Sequence, residues 1–316
     1  MQIKKKLKEW PRIIFLVFAI LPVIFLILIM LNLVLNSRTA IHTVGFSGLF
    51  STRISGVFST AQGLFGIIPA IWGTFLVILV SMGIAIPVSL AMAIFSSEFN
   101  LRFLGKGMRP ILGILSGIPS IVYALMSVVF AQLFIIPKFT GAGLSPGKIP
   151  IPAQRLPFNT STLLGGIMLS MLIIPFLAPL FDDALRDVPH SLKEASLALG
   201  SGRWYTLKKI SFPHALSGLI SASSLGILKA MGDVVIVGLV IGFESPLPNP
   251  LFDILKSTAP LTSTGAGFSG GFGQSLRSPL RDSAANFTGL LLLILAFIIL
   301  VLVAVLQRRF KKRYPG

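Results

Sequence analysis

Six long apolar runs alternate with polar segments along the chain, at residues 13–35, 67–95, 110–136, 163–181, 213–241 and 287–306. Each is about the ~20 residues that a helix needs to cross a bilayer core. The pattern predicts an all-α, polytopic membrane protein of six transmembrane helices. The first run follows Lys4, Lys5, Lys6, Lys8 and Arg12. It is longer than the apolar part of a signal peptide and no small-x-small cleavage site follows, so it is expected to remain as a span. Pro87 lies inside the second run, where its missing N–H predicts a kink, and Pro175 and Pro179 lie in the fourth. Pro213 opens the fifth, in the first-turn position that suits proline.

Between the runs, residues 36–63 are rich in Ser, Thr and Gly, 137–160 in Pro and Gly, and 243–286 in Gly, Ser and Pro. The last of these has a possible short helix at 251–255 and a glycine run, 265–273, that reads as flexible loop. The punctuation divides the chain into 1–63, a basic tail with the first span and an outer loop; 64–243, a core with a polar loop at 182–212; and 244–316, an outer loop, the sixth span and a basic tail.

Composition agrees with the pattern: 54% hydrophobic and 12% charged residues, with a mean hydropathy of +0.89. The net charge of +17 is spread over loops rather than along one stripe, which argues against nucleic acid as partner. Placing the N-terminus in the cytoplasm puts 18 Lys and Arg in segments 1–12, 96–109, 182–212 and 307–316, 8 in the outer segments, and one, Lys229, inside a span. That asymmetry predicts both termini inside. The terminal RRFKKR is then an anchor at the lipid headgroups. With no cysteine there is no disulfide or thiol chemistry, and His42, His190 and His214 form no metal-ligand pair. Asp182, Asp183 and Asp187 read as a solvated helix end rather than a metal site. Gly141 to Lys148 imitate a phosphate-binding loop, but one residue too long and with Ile149 where a hydroxyl is needed, so the chain has no ATP site of its own. No cofactor is expected.

Two places carry chemistry. In the polar loop, Pro189 and the capping-box pattern Ser191 to Glu194 predict a short helix whose face is Leu192, Ala195, Ser196 and Leu199. Gly200 stands where a left-handed C′ glycine would end it, and a second short helix runs over about 203–210. A polar loop with two helices and many small side chains suits docking in a groove of another protein. In the fifth run, Lys229 falls roughly 24 Å along the helix from Pro213, at ~1.5 Å per residue, past the midplane of a bilayer core ~30 Å thick. An intramembrane cation is costly and marks a pathway, with Asp233 one turn on as a pairing partner. In the third run, Gly117, Pro119, Ser120 and Tyr123 could line a hydrated path or pack as a kink.

The loop resembles the E-A-A-x3-G-x9-I-x-L-P signature of importer-type ABC transporter permeases at Glu194, Ala195, Gly200, Ile210 and Pro213, with Ser196 and Phe212 as departures. Gly117 to Tyr123 and Lys229 to Val235 resemble the G-x-P-S-x-V-Y and R-A-x-G-E segments of phosphate-specific ABC permeases. The Lys and Asp at 229 and 233 replace Arg and Glu, so a point charge stands where the family has a bidentate fork. The tail Val237 to Gly242 and the LFD at 251–253 are closer to the C-type than to the A-type subunit.

The resemblance implies a type I importer permease with a cytoplasmic coupling helix, in a prokaryotic inner membrane. It implies no covalent chemistry in this chain, two ATPase subunits docked on the coupling loop (Glu194, Ala195, Ser196, Gly200, Ile210, Pro213), a second related permease as heterodimer partner, and an extracytoplasmic phosphate-binding protein. The path would be lined by Lys229, Asp233, Ser120 and Tyr123. Permeation of another oxyanion (molybdate, tungstate or sulfate) and an ATP-independent anion channel or carrier are the alternatives.

Overall fold

The computed structural model describes residues 2–50, 66–97, 104–130, 161–243, 248, 250–268 and 279–313. Among them the regular structure is helical, with one isolated antiparallel bridge between Phe50 and Gly66. The helices are α1 (Gln2–Leu49), α2 (Ile68–Ser97), α3 (Leu104–Ser116), α4 (Ser120–Phe130), α5 (Thr162–Arg186), α6 (His190–Ala198), α7 (Arg203–Thr206), α8 (Phe212–Gly232), α9 (Val234–Val240), α10 (Leu261–Phe268) and α11 (Pro279–Arg313). Five are long and apolar enough to cross a membrane, six if the bent pair α3–α4 counts as one span.

The third run is therefore not one continuous span, and the kink weighed at Pro119 is a sharp one. It bends by 83° between Ser116 and Ser120. Pro119 has no N–H to donate and pushes Ile118 out of the helical region, so the helix stops and restarts. The fifth run also breaks, at Asp233, whose backbone is extended (φ −79°, ψ 106°). At its start the expectation changes the other way: helix continues without interruption from Arg203 to Gly232. The π-type turn Leu207–Ser211 precedes Pro213, and the Phe212 N–H bonds the Leu207 carbonyl five residues back. This wider turn absorbs the bond that Pro213 cannot make.

Polar residues after the first run do not end α1, within which Ser37 and Thr43 donate their hydroxyls to the carbonyls of Val34 and Thr39. The backbone breaks only at Gly45 (φ 72°). The short helix of the last loop is α10, not 251–255. It contains Gly265, where a Cβ would run into Thr288 of α11, so part of the glycine run is a helix contact rather than loop. The sixth helix starts eight residues early, at Pro279, which brings Arg281 into it and leaves that side chain 8% exposed. The phosphate-loop imitation at 141–148 lies outside the described residues.

α5 is the central helix: 61% of its apolar window is buried inside the molecule, against none of α1's or α11's. It packs on α2 and α8, and Leu169, Ile173, Leu177, Phe181 and Leu185 are wholly buried there. Glycines permit the approach. A Cβ at Gly165 would overlap Ile241, just past α9, and one at Gly166 would overlap Val80 of α2. At the α5 N-terminus, the Thr162 and Leu163 N–H groups donate to the carbonyls of Lys256 and Ile254 at 3.0 and 2.8 Å, so the 250–260 segment closes that end. The segment between α5 and α8 occupies the other end.

Candidate functional site

The two helix breaks meet. At the first, Gly117 and Ile118 donate to the carbonyls of Ile114 and Leu115, and the Tyr123 hydroxyl reaches back across the bend to Leu115 at 2.9 Å. Tyr123 thus satisfies a carbonyl that the interrupted helix leaves without its usual partner. At the second break, the Asp233 carboxylate accepts the Ile236 N–H at 2.8 Å and caps α9. α4 packs against α9, which brings the Ser120 side chain onto the same carboxylate.

Lys229 stands one turn before the break, and its Nζ lies 4.3 Å from the centroid of the Phe176 ring. A cation over a ring face gains about 0.5–2 kcal/mol, depending on desolvation. The level follows from neighbouring contacts on the same two helices, where Gly226 abuts Leu177 and Gly218 abuts Ala184. Phe176 is just past the middle of the 25-residue α5, so Lys229 is at mid-height of the bundle. Among the described residues Lys229 and Asp233 form no ion pair. α8 ends at Gly232, so Asp233 is not the next-turn residue of one continuous helix, and its carboxylate is turned to the cap. The structure brings together Lys229, Asp233 and Ser120; Tyr123 serves the bend beside them. Phe176 was missed, since pairing between residues far apart in sequence leaves no local signal.

The polar loop folds as two arms. Ser201 N–H donates to the Ser196 carbonyl and Gly200 N–H to that of Leu197, and Gly200 takes φ 81°. This is a complete Schellman ending for α6. The capping box does not close: the cap position is Pro189 with no side-chain bond, and α6 starts at His190, so Ser191 falls inside the first turn. Ser196 does not share the outer face with Leu192, Ala195 and Leu199. It is buried, and its hydroxyl bonds those of Ser201 and Thr206, the latter at 2.9 Å, which staples α6 to α7.

The outer surface of the loop is apolar and aromatic: Leu199 is 90% exposed, Trp204 64% and Tyr205 57%. Glu194, Ala195 and Gly200 are exposed with them, and Ile210 and Pro213 are half-buried at the root.

The loop is tied to the bundle by charge. The Lys193 ammonium donates to the Leu185 carbonyl at 3.1 Å, at the C-terminus of α5 where a cation is favourable. Arg186 pairs with Asp182 at 2.9 Å and also donates to the Ser96 carbonyl of α2 at 3.2 Å. Asp183 and Asp187 are exposed, as expected of a solvated helix end, whereas Asp182 is 2% exposed and belongs to an inter-helix tie. Asp182 adjoins a small, partly open pocket lined by Met92, Leu112 and Pro179 among others. Among the described residues no three His, Asp or Glu side chains gather as metal ligands.

Residues 85–314 match the family described as binding-protein-dependent transport system inner membrane component. The chain is 31% identical over 290 residues to the phosphate transport system permease protein PstC of Haemophilus influenzae, covering 90% of this chain and 88% of the relative. It is 30% identical over 305 residues to PstC of Pasteurella multocida, covering 94% and 90%. Among solved structures, the fold is similar to that of the MetNI methionine ABC transporter in an inward-facing conformation (TM-score 0.54, 19% identity, 78% of this chain and 94% of that chain). It is also similar to a bacterial alginate ABC transporter (TM-score 0.58, 16% identity, 98% of both chains).

Proposed function

Because the chain belongs to the family of binding-protein-dependent transport system inner membrane components, we propose that it is the permease subunit of an ATP-driven phosphate importer. It forms part of the path through the inner membrane and leaves ATP hydrolysis to separate subunits. The relatives named PstC support phosphate as cargo and agree with the C-type character of the 237–242 tail. Importers of this kind work with an ATPase pair and a substrate-binding protein. The second permease is a related but different chain.

The observation that carries the reading is the Lys229 ammonium: a cation at mid-height of an apolar bundle, at the junction of two broken helices, with no carboxylate ion pair among the described residues. In a low-dielectric interior such a charge is retained where it meets water or an anion. Lys229 receives phosphate, with Asp233 and Ser120 forming the adjoining wall. The exposed Leu199, Trp204 and Tyr205 dock on the ATPases, with Glu194, Ala195 and Gly200 in the same surface and Ser196, Ile210 and Pro213 shaping it from beneath. Both termini lie in the cytoplasm on the side of this loop, as the distribution of Lys and Arg supports. Closure of the ATPases pushes the loop, and the Lys193 and Arg186 ties carry that movement to α5 and α2.

The test is labelled-phosphate uptake by the co-expressed, reconstituted complex with Lys229→Gln. Loss of uptake in an assembled complex supports the reading; unchanged uptake removes Lys229 from the path. Competition by molybdate, tungstate and sulfate in the same assay fixes the cargo.

A further inference from the structure

We propose that Phe176 is a positioning residue for the transported anion: its ring holds the Lys229 ammonium away from Asp233 and so keeps the cation's charge available. The inference rests on the reading of Lys229 as the anion-facing cation. Lys229 and Asp233 attract each other across the helix break, and a closed pair would cancel the charge that an anion needs. Here neither side of that pair is idle. The Asp233 carboxylate is committed to the Ile236 N–H and lies against Ser120, while the ammonium lies over a ring.

A ring differs from a carboxylate in what it leaves behind. It stabilises the ammonium through its quadrupole and has no net charge to neutralise it. The contact is also weak enough for an oxyanion to displace. Phe176 is well placed to hold its position, being half-buried on the central helix between Pro175 and Pro179, beside Leu177, which is wholly buried. Without the ring, the ammonium falls to the remaining attractor, Asp233, and the anion must then break an ion pair to bind.

The experiment replaces Phe176 by phenylalanines of increasing ring fluorination in the reconstituted complex and measures phosphate uptake, with Leu, Tyr and Trp alongside. Fluorine weakens the face of the ring toward a cation while nearly keeping its shape. The expected result is a KM for phosphate that rises stepwise with fluorine number, to about threefold to tenfold, with kcat little changed and Tyr and Trp close to the native chain. Phe176→Leu exceeds the most fluorinated ring.

A flat KM across the fluorinated series overturns the inference, and so does a Tyr variant as impaired as Leu, because both mean that the ring only fills space. The fluorinated series keeps the test decisive if Phe176→Leu fails to assemble. The outcomes separate from those of the underlying reading. A flat series with an inactive Lys229→Gln removes Phe176 alone, whereas an active Lys229→Gln removes the site itself.

Discussion

At the scale of single residues, the account turns on which charges are paired. Lys229 has an aromatic ring against it and, among the described residues, no ion pair, whereas Arg186 closes on a buried Asp182. Lys229→Arg keeps the charge and adds a fork suited to oxyanions, so uptake should stay within a few-fold of the native chain, while Lys229→Gln should lower it by at least about tenfold. Initial rates in vesicles matched for assembled complex check both. Gly200 holds a left-handed conformation (φ 81°) with open space around its Cα, so the cost of a side chain there is conformational. Gly200→Val should cost about 1–2 kcal/mol at the turn and weaken ATPase co-purification without loss of membrane insertion.

Lys229 was legible in the sequence because an ammonium inside an apolar run is costly and needs a reason. Phe176 was not, being one of 25 phenylalanines, and only the fold sets it against Lys229.

At the scale of elements, the helices were legible and their interruptions were not. Apolar length alone marks α2, α5 and α11, yet it cannot distinguish a straight span from the 83° bend at Pro119 or the break at Asp233. The first break has a local cause in Pro119, but the meeting of the two depends on partners distant in sequence: α4 lies on α9, and the Ser120 side chain reaches Asp233 only because both chains turn there. In the loop between α5 and α8 the first short helix and its end at Gly200 were read correctly, since Schellman endings are local, but the second, expected over about 203–210, is the start of the continuous helix that runs to Gly232. The inward role of Ser196 escaped because its partners Ser201 and Thr206 come from the second arm.

The tie from this loop to the bundle makes its own prediction. Arg186→Ala removes the link from the end of α5 to Ser96 of α2, so ATP hydrolysis by the complex should persist while phosphate moved per ATP falls several-fold. Parallel ATPase and uptake measurements check it; equal loss of both would make Arg186 a stability residue only.

At the scale of the whole molecule, charge and hydropathy along the chain fixed the class, and the arrangement of the spans explains why the chain does not act alone. α1 and α11 bury none of their apolar windows, and Lys229 is only partly enclosed by its own chain. The exposed Leu199, Trp204 and Tyr205 at the far end form an apolar patch of the kind that marks a protein or membrane contact, and the proposed cover is the ATPase pair. On the proposed reading such a subunit is driven from one end and lined in the middle, with a second permease completing its path. The direct measurement is phosphate uptake into proteoliposomes holding either this purified chain alone or the full complex with its ATPases, partner permease and binding protein. The account predicts uptake only by the full complex and only with ATP, abolished by Lys229→Gln. Phosphate flux through the chain alone, independent of ATP, would contradict it.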